Sequence, residues 1–279
     1  MKLLIVKTSA LGDVVHALPV LAYLKSAVRD IRIDWLVEEA FAPLITEHPL
    51  VNQVIQLNTK AWRRSGFFFA LASAWRLIRC LRRQNYDIVL DLQGNSKSGF
   101  FTRFAAAPKR FGFDRNGVRE WPNLLATTHR VGLSADDHHV SRRALAIARA
   151  AGRGGSGESW AGPLRVNAAA AGLVAEQLQG VGVAPQGPYP LVVLHGGTTW
   201  PTKLWRLAFW QELALRLIIA LDARVLLTWG NEKEKKAAAS IAAAAGRQAL
   251  VWPKRPLPEL MALLASMDLV VGCDTRPVH

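Results

Sequence analysis

Short apolar runs with strand character recur along the chain, and each is followed by a longer stretch in which apolar residues fall three and four apart. In the first half the runs are Leu3 to Val6, Ile31 to Val37, Gln53 to Leu57 and Asp87 to Leu92. In the second half they are Leu191 to His195, Arg224 to Trp229, Ala249 to Trp252 and Leu269 to Cys273, with helical patterns over Leu204 to Leu221, Lys233 to Ala245 and Pro258 to Met267. Strand and helix periods that alternate in this way predict doubly wound α/β folding with parallel sheets. A chain of 279 residues, 51% hydrophobic, has material for two cores rather than one. The seam is expected in "GRGGSGESWAG", Gly152 to Gly162, where glycines and serines interrupt the helical pattern ending near Ala151. The expected domains are residues 1–157 and 158–279.

Several classes are disfavoured. The opening Met-Lys-Leu-Leu is not read as an export signal, because Lys7 breaks the apolar run after four residues. Phe67 to Trp75 and Leu217 to Leu221 are too short to span a bilayer and meet Arg76 and Asp222. Cys80 and Cys273 form neither a disulfide framework nor a metal cluster and read as packing residues of a protein in a reducing cytosol. With 35 Lys+Arg against 21 Asp+Glu, the net charge of +14 favours a polyanionic partner: nucleic acid, an anionic membrane face or a phosphorylated substrate.

In doubly wound folds ligands bind beyond the carboxyl ends of the strands, which in a facing pair of domains look into the cleft. Asp13, Gln93 to Lys97, Thr198, Thr199, Glu232 and Asp274 all follow strand candidates. In "LHGGTTWPTKLW" two glycines allow close backbone approach, two threonines offer hydroxyls, and Lys203 is expected where the next helix begins, a combination suited to a diphosphate. The same stretch also reads as an ordinary Gly-Thr turn capped by Thr202. Glu232 reads as a ribose ligand or as a solvated acid in "NEKEKK", and Asp274 as an acceptor of sugar hydroxyls or a helix cap. Asp13 reads as a base facing the cleft or as the cap of a helix beginning at Val14.

The segments "LIVKTSALGDVVHALP", "IDWLVEEAFAPLITEHP", "YDIVLDLQGNSKSG", "HGGTTWPTKLW" and "VVGCDTRPVH" resemble the ADP-heptose:lipopolysaccharide heptosyltransferases, glycosyltransferase family 9, and within it the heptosyltransferase I type. The resemblance runs nearly end to end. It implies the GT-B fold, two facing Rossmann-like domains, with the second domain continuing past His279 in relatives and so incomplete here. It implies inverting transfer of L-glycero-D-manno-heptose from ADP-heptose to Kdo of Kdo2-lipid A, with Asp13 as general base. It places the diphosphate on Thr198, Thr199 and Lys203, the ribose on Glu232, and the heptose on Asp274 and Thr275. Arg276 departs from the glycine that family members carry at that point. Neither cofactor nor metal is implied, provided Lys203 and helix-start amides stabilise the departing ADP.

The acceptor that the resemblance implies is an acidic, phosphorylated glycolipid. "KAWRRSGFFF" sets Lys60, Arg63 and Arg64 beside Trp62 and Phe67 to Phe69, a mixture suited to an anionic membrane interface, and Arg76, Arg79 and Arg83 continue a basic stripe that reads equally as a solvated helix face. By resemblance Lys97, Arg119, His138 and Arg142 also meet the acceptor. The expected location is cytoplasmic, peripheral on the inner membrane. Two other readings stay open: a nucleotide-sugar-binding protein without turnover, and a basic α/β nucleic-acid binder. The second rests on charge alone, since no nucleic-acid-binding motif is present, and the expected partners exclude nucleic acid.

Overall fold

The structure, a computed structural model, describes residues 1–152, 164–184, 187–198 and 201–273. The chain divides into two compact units, Met1–Arg165 and Val166–His279. The boundary expected after residue 157 lies outside the described residues, as do Thr199, Asp274, Thr275 and Arg276.

The first unit contains strands β1 (Lys2–Val6), β2 (Arg32–Glu38), β3 (Gln53–Leu57), β4 (Ile88–Asp91), β5 (Lys109–Phe113) and β6 (His129–Val131). Its helices are α1 (Leu11–Val15), α2 (Pro19–Ala27), α3 (Thr59–Arg64), α4 (Phe67–Arg83), α5 (Ser96–Phe104) and α6 (Val140–Ala151). All strand pairings are parallel, in the order β3-β2-β1-β4-β5-β6. β1 lies at the centre, where both faces are covered, and Leu3, Leu4, Ile5 and Val6 are accordingly all fully buried. The chain winds outward from β1 to β3, then crosses back to place β4 on the other side of β1. The loops after β1 and β4 therefore diverge, and that switch point is where such sheets bind ligands.

The second unit contains β7 (Leu191–His195), β8 (Arg224–Leu227), β9 (Ala249–Val251) and β10 (Leu269–Gly272), with α7 (Ala168–Gly180), α8 (Leu207–Leu221), α9 (Glu232–Ala245) and α10 (Leu257–Ala265). Its parallel order is β10-β7-β8-β9, so a second switch point falls between β7 and β10. Side chains of β7 alternate between two cores: Val192 and Leu194 pack with Trp210, Ala214, Ala238 and Ile241, while Leu191 and Val193 pack with Val174, Leu178 and Leu263.

The strands expected from periodicity are found to within two residues at either end. β5 and β6 were not expected. β5 opens with Lys109 and Arg110 and carries Gly112, so only Phe111 and Phe113 supply buried apolar signal. β6 is a three-residue edge strand with one apolar residue, Val131. Gly112 is needed because the Thr127 side chain packs directly over its Cα.

Candidate active site

The first unit gathers charge at its switch point. Lys7 follows β1 and is almost fully buried; its Nζ lies 3.3 Å from the Leu92 carbonyl beyond β4 and 3.3 Å from Asp13 Oδ2. Arg119, just over half exposed, brings Nη2 to 3.0 Å from the same Asp13 oxygen. Asp13 does not cap the following helix as one reading expected. α1 begins at Leu11 with Ala10 as its N-cap, and Asp13 sits inside the first turn, so its carboxylate is left to the two cations. Burial pushes the Asp13 carboxyl up, but the combined pull of Lys7 and Arg119 outweighs it and holds the pKa below the ordinary 3.8. Burial likewise pulls the Lys7 ammonium below its usual 10.5, with Asp13 opposing.

Arg119 is held in place from the β4 side. Gly94 adopts φ +73°, a conformation suited to glycine, and its carbonyl accepts from the amides of Arg119 at 3.0 Å and Glu120 at 3.1 Å. Glu120 in turn accepts from the Ser96 amide at 2.9 Å and from its hydroxyl at 2.5 Å. The turn is organised by Asp91, fully buried at the end of β4. Oδ1 accepts from the amides of Gln93 (3.0 Å) and Gly94 (2.9 Å), and Oδ2 from Asn123 Nδ2 (2.7 Å) and Thr102 Oγ1 (3.2 Å). Burial raises the Asp91 pKa against these hydrogen bonds. Lys7, Asp13, Leu92, Gln93, Phe113, Arg119 and Arg143 border a cavity of about 30 Å³, room for one water or one substrate hydroxyl.

The other cations expected at the acceptor are dispersed within this unit. Lys97 Nζ pairs with Glu38 Oε1 at 2.7 Å, and Glu38 also accepts from the Thr59 amide at 3.2 Å. Lys60, Arg63 and Arg64 stand exposed on α3. His138 is exposed before α6, and Arg142, on its first turn, donates to the Asp136 carbonyl at 3.3 Å.

The second unit holds a larger cavity, about 330 Å³, bordered by Gly196, Gly197, Thr198, Trp205, Trp210, Thr228, Asn231 and Glu234. Thr198 is therefore placed at a ligand-sized space beyond β7. Lys203 does not open the next helix: it ends a 3-10 turn, Pro201–Lys203, and α8 begins at Leu207 after Arg206, whose extended backbone makes it the N-cap. Glu232 points to solvent with Lys235 3.9 Å away. Among the described residues the carboxylate at the cavity is that of Glu234, held by the Gly230 amide at 2.6 Å and Asn231 Nδ2 at 2.7 Å. Asn231 caps α9 by accepting from the Glu234 amide at 3.0 Å. Trp210 Nε1 is a buried donor with no hydrogen-bond partner among the described residues, a group that a ligand acceptor in this cavity would satisfy.

Lys7, Asp91, Trp210 and Glu234 were not singled out from sequence. Glu234 carried a legible signal, an Asn-x-x-Glu capping spacing at a helix start. Lys7 carried one too, a lysine directly after a wholly buried strand.

The glycosyltransferase family 9 (heptosyltransferase) model matches residues 74–279. Lipopolysaccharide heptosyltransferase 1 of Pseudomonas aeruginosa is 35% identical over 280 residues, covering 100% of this chain and 75% of the relative. The E. coli K12 protein of the same name is 31% identical, covering 100% and 83%. The E. coli heptosyltransferase solved with ADP-2-deoxy-2-fluoro heptose superimposes with a TM-score of 0.75 at 30% identity, covering 99% of this chain and 84% of that one. Two parallel α/β units in one chain, with this likeness, define a glycosyltransferase of the GT-B fold class. The chain belongs to glycosyltransferase family 9, the heptosyltransferases.

Proposed function

We propose that this enzyme transfers L-glycero-D-manno-heptose from ADP-heptose to Kdo of Kdo2-lipid A in the lipopolysaccharide inner core, with inversion at the anomeric carbon. The observation that carries the reading is the Asp13 carboxylate, ionised between Lys7 and Arg119 at a switch point and bordering a cavity of hydroxyl size. Asp13 takes the proton of the Kdo hydroxyl as its oxygen bonds to C1 of the heptose. The C1–phosphate oxygen bond breaks, and ADP leaves with the bonding pair. Two cations face one carboxylate here, so Arg119 keeps charge to offer the acceptor's own carboxylate. Lys97, His138 and Arg142 serve the acceptor further out, and Lys60, Arg63 and Arg64 face its phosphates.

In the second unit Thr198 and Lys203, with Thr199, hold the diphosphate. Lys203 neutralises charge on the leaving ADP. Glu232, the ribose ligand that the family resemblance implies, stands on the first turn of α9 facing solvent, while Glu234 two residues on borders the cavity; we assign the ribose contact to this turn, with Glu234 the carboxylate already at the cavity. Asp274 and Thr275 hold the heptose hydroxyls. An acceptor embedded in a bilayer requires the enzyme to work on the cytoplasmic face of the inner membrane, in peripheral contact with anionic lipid. No helix among the described residues is long and apolar enough to cross a membrane.

Single-turnover assays with ADP-heptose and Kdo2-lipid A test the reading, run beside calorimetric binding of ADP. Asp13→Ala is expected to bind ADP as the parent does and to transfer about 10²- to 10⁴-fold more slowly, the usual contribution of a general base. Near-parental transfer by the variant overturns the role of Asp13. Binding of ADP-heptose by the parent without product would favour a sugar-nucleotide-binding protein instead.

A further inference from the structure

Among the described residues, the outward face of the amino-terminal half of α4 is left uncovered within the first unit. α4 is anchored through its second half: Leu81, with Leu77 beside it, packs on the β-sheet core with Leu4, Leu36 and Val89, and Ile78 is also buried. Its first half buries nothing. Phe67 is 75% exposed, Phe68 84%, Phe69 51%, Leu71 57% and Trp75 49%. At 100° per residue Phe68, Leu71 and Trp75 fall on one outward face, and Arg79 continues that same face toward the carboxyl end, with Arg82 beside it, exposed and donating Nε to the Phe104 carbonyl at 3.2 Å. The outward surface thus changes along its length from aromatic to cationic, and the Arg79 guanidinium lies 5.8 Å over the Trp75 ring at the changeover.

The sequence around this face is as polarised as its surface. Between Glu47 and Asp87 there is no acidic residue, while Lys60, Arg63, Arg64, Arg76, Arg79, Arg82 and Arg83 are all present and all exposed. These seven cations account for half of the net +14. A soluble partner of neutral charge would be matched to the aromatics and not to this charge, and a nucleic acid to the charge and not to an exposed Phe-Phe-Phe tip. An anionic bilayer surface matches both, because its headgroups attract the arginines and its acyl boundary receives the rings.

We propose that α3 and the amino-terminal half of α4 form a membrane-docking element, in which Phe67, Phe68, Phe69 and Leu71 enter the acyl boundary of an anionic lipid surface. Trp75 then sits among the headgroups and Arg76, Arg79, Arg82 and Arg83 rest on the phosphates. The inference deepens the reading that the acceptor is a glycolipid in an anionic membrane, by naming the segment that brings the enzyme to it.

Flotation of the full chain with phosphatidylcholine vesicles, with and without phosphatidylglycerol, tests it. The parent is expected to float with the anionic vesicles and to be released by salt. Phe68→Ser combined with Trp75→Ser should partition about a hundredfold more weakly with an unchanged melting temperature, since neither ring is part of the core. Arg79→Gln combined with Arg82→Gln should lose the preference for anionic lipid. Failure of the parent to float, or equal flotation of the aromatic variant, overturns the proposal. Binding of RNA or of an acidic protein through this face in place of vesicles also overturns it. Transfer to a deacylated, soluble Kdo acceptor separates the two readings: the aromatic variant should transfer to it as the parent does. If the parent floats yet makes no product, docking stands and the proposed reaction falls.

Discussion

Arg119 Nη2 lies 3.0 Å from Asp13 Oδ2 although 106 residues separate them in the chain. The pair exists because β1 and β4 are neighbours at the switch point and the Gly94 carbonyl fixes the backbone of Arg119 beyond β4. A carboxylate gripped by two cations is fully ionised at neutral pH but is a weak base. Whatever draws Arg119 away strengthens it.

Arg119→Ala is therefore expected to raise the Asp13 pKa, since it removes one of the two charges that overcome burial. The folded-state value lies below 3.8 in the parent, so this carboxylate contributes stability that is complete above about pH 3.8 and is lost as pH falls through the folded value. The variant should lose that contribution at a higher pH. Carboxyl carbon NMR of labelled aspartate reads the titration directly. An unmoved Asp13 titration would mean that Lys7 alone sets its charge.

Asp91 supports the same site from inside the sheet. Its carboxylate accepts from Gln93, Gly94, Thr102 and Asn123 with no exposure to solvent. Asp91→Ala strands several buried donors, each costing about 1 to 3 kcal/mol when unmet. A loss of about 3 kcal/mol or more in urea unfolding is expected, together with slower transfer as the Gly94 turn and Arg119 shift. A loss below 1 kcal/mol would mean that water replaces the carboxylate.

The central strands were legible because parallel strands buried on both faces read as unbroken apolar runs, as Leu3 to Val6 and Leu191 to Leu194 do. β5 and β6 were not, since their pairing comes from neighbouring strands while Lys109, Arg110, His129 and Arg130 dilute the local signal. Among the site residues, Asp13 was legible by its place after a strand, yet its partner Arg119 was not derivable from spacing: the contact depends on a topology that crosses the sheet. The start of α8 was misplaced because apolar periodicity extends through Leu204 and Trp205, while the backbone stays extended at Arg206 and enters the helix only at Leu207. Glu234 stands among other charges in "NEKEKK", where the Asn-x-x-Glu spacing from Asn231 was the one signal that could have picked it over Glu232, and the turn at Gly230 and Asn231 is what holds it.

Lys203→Ala tests the leaving-group end of the reaction. Charge-assisted contacts to phosphate are worth roughly 1.5 to 3 kcal/mol, so ADP and ADP-heptose should both bind about tenfold or more weakly. Adenosine, which lacks the phosphates, should bind unchanged. Equal calorimetric affinity for ADP in parent and variant would place the diphosphate away from the 3-10 turn.

Gly197→Ala tests the cavity of the second unit. A Cβ at Gly197 would overlap the Glu234 carboxylate, which the Gly230 amide and Asn231 Nδ2 hold at 2.6 and 2.7 Å. Glu234 is the far end of a flexible side chain, so it should swing away and forfeit these two hydrogen bonds, at about 1 kcal/mol each. His195 reports the movement. Burial lowers its imidazole pKa below 6.5 and the Glu234 charge opposes that, so displacing the carboxylate should lower the pKa further. Glu234→Gln should also lower it, because the charge is removed, yet leave the space beside Gly197 open. The two variants therefore separate charge from shape: both move the His195 titration down, while only Gly197→Ala should close part of the cavity against the nucleotide. Proton NMR of the imidazole and calorimetry with ADP measure the two effects. A His195 titration that stays in place in both variants would show that the Glu234 carboxylate does not stand at the cavity.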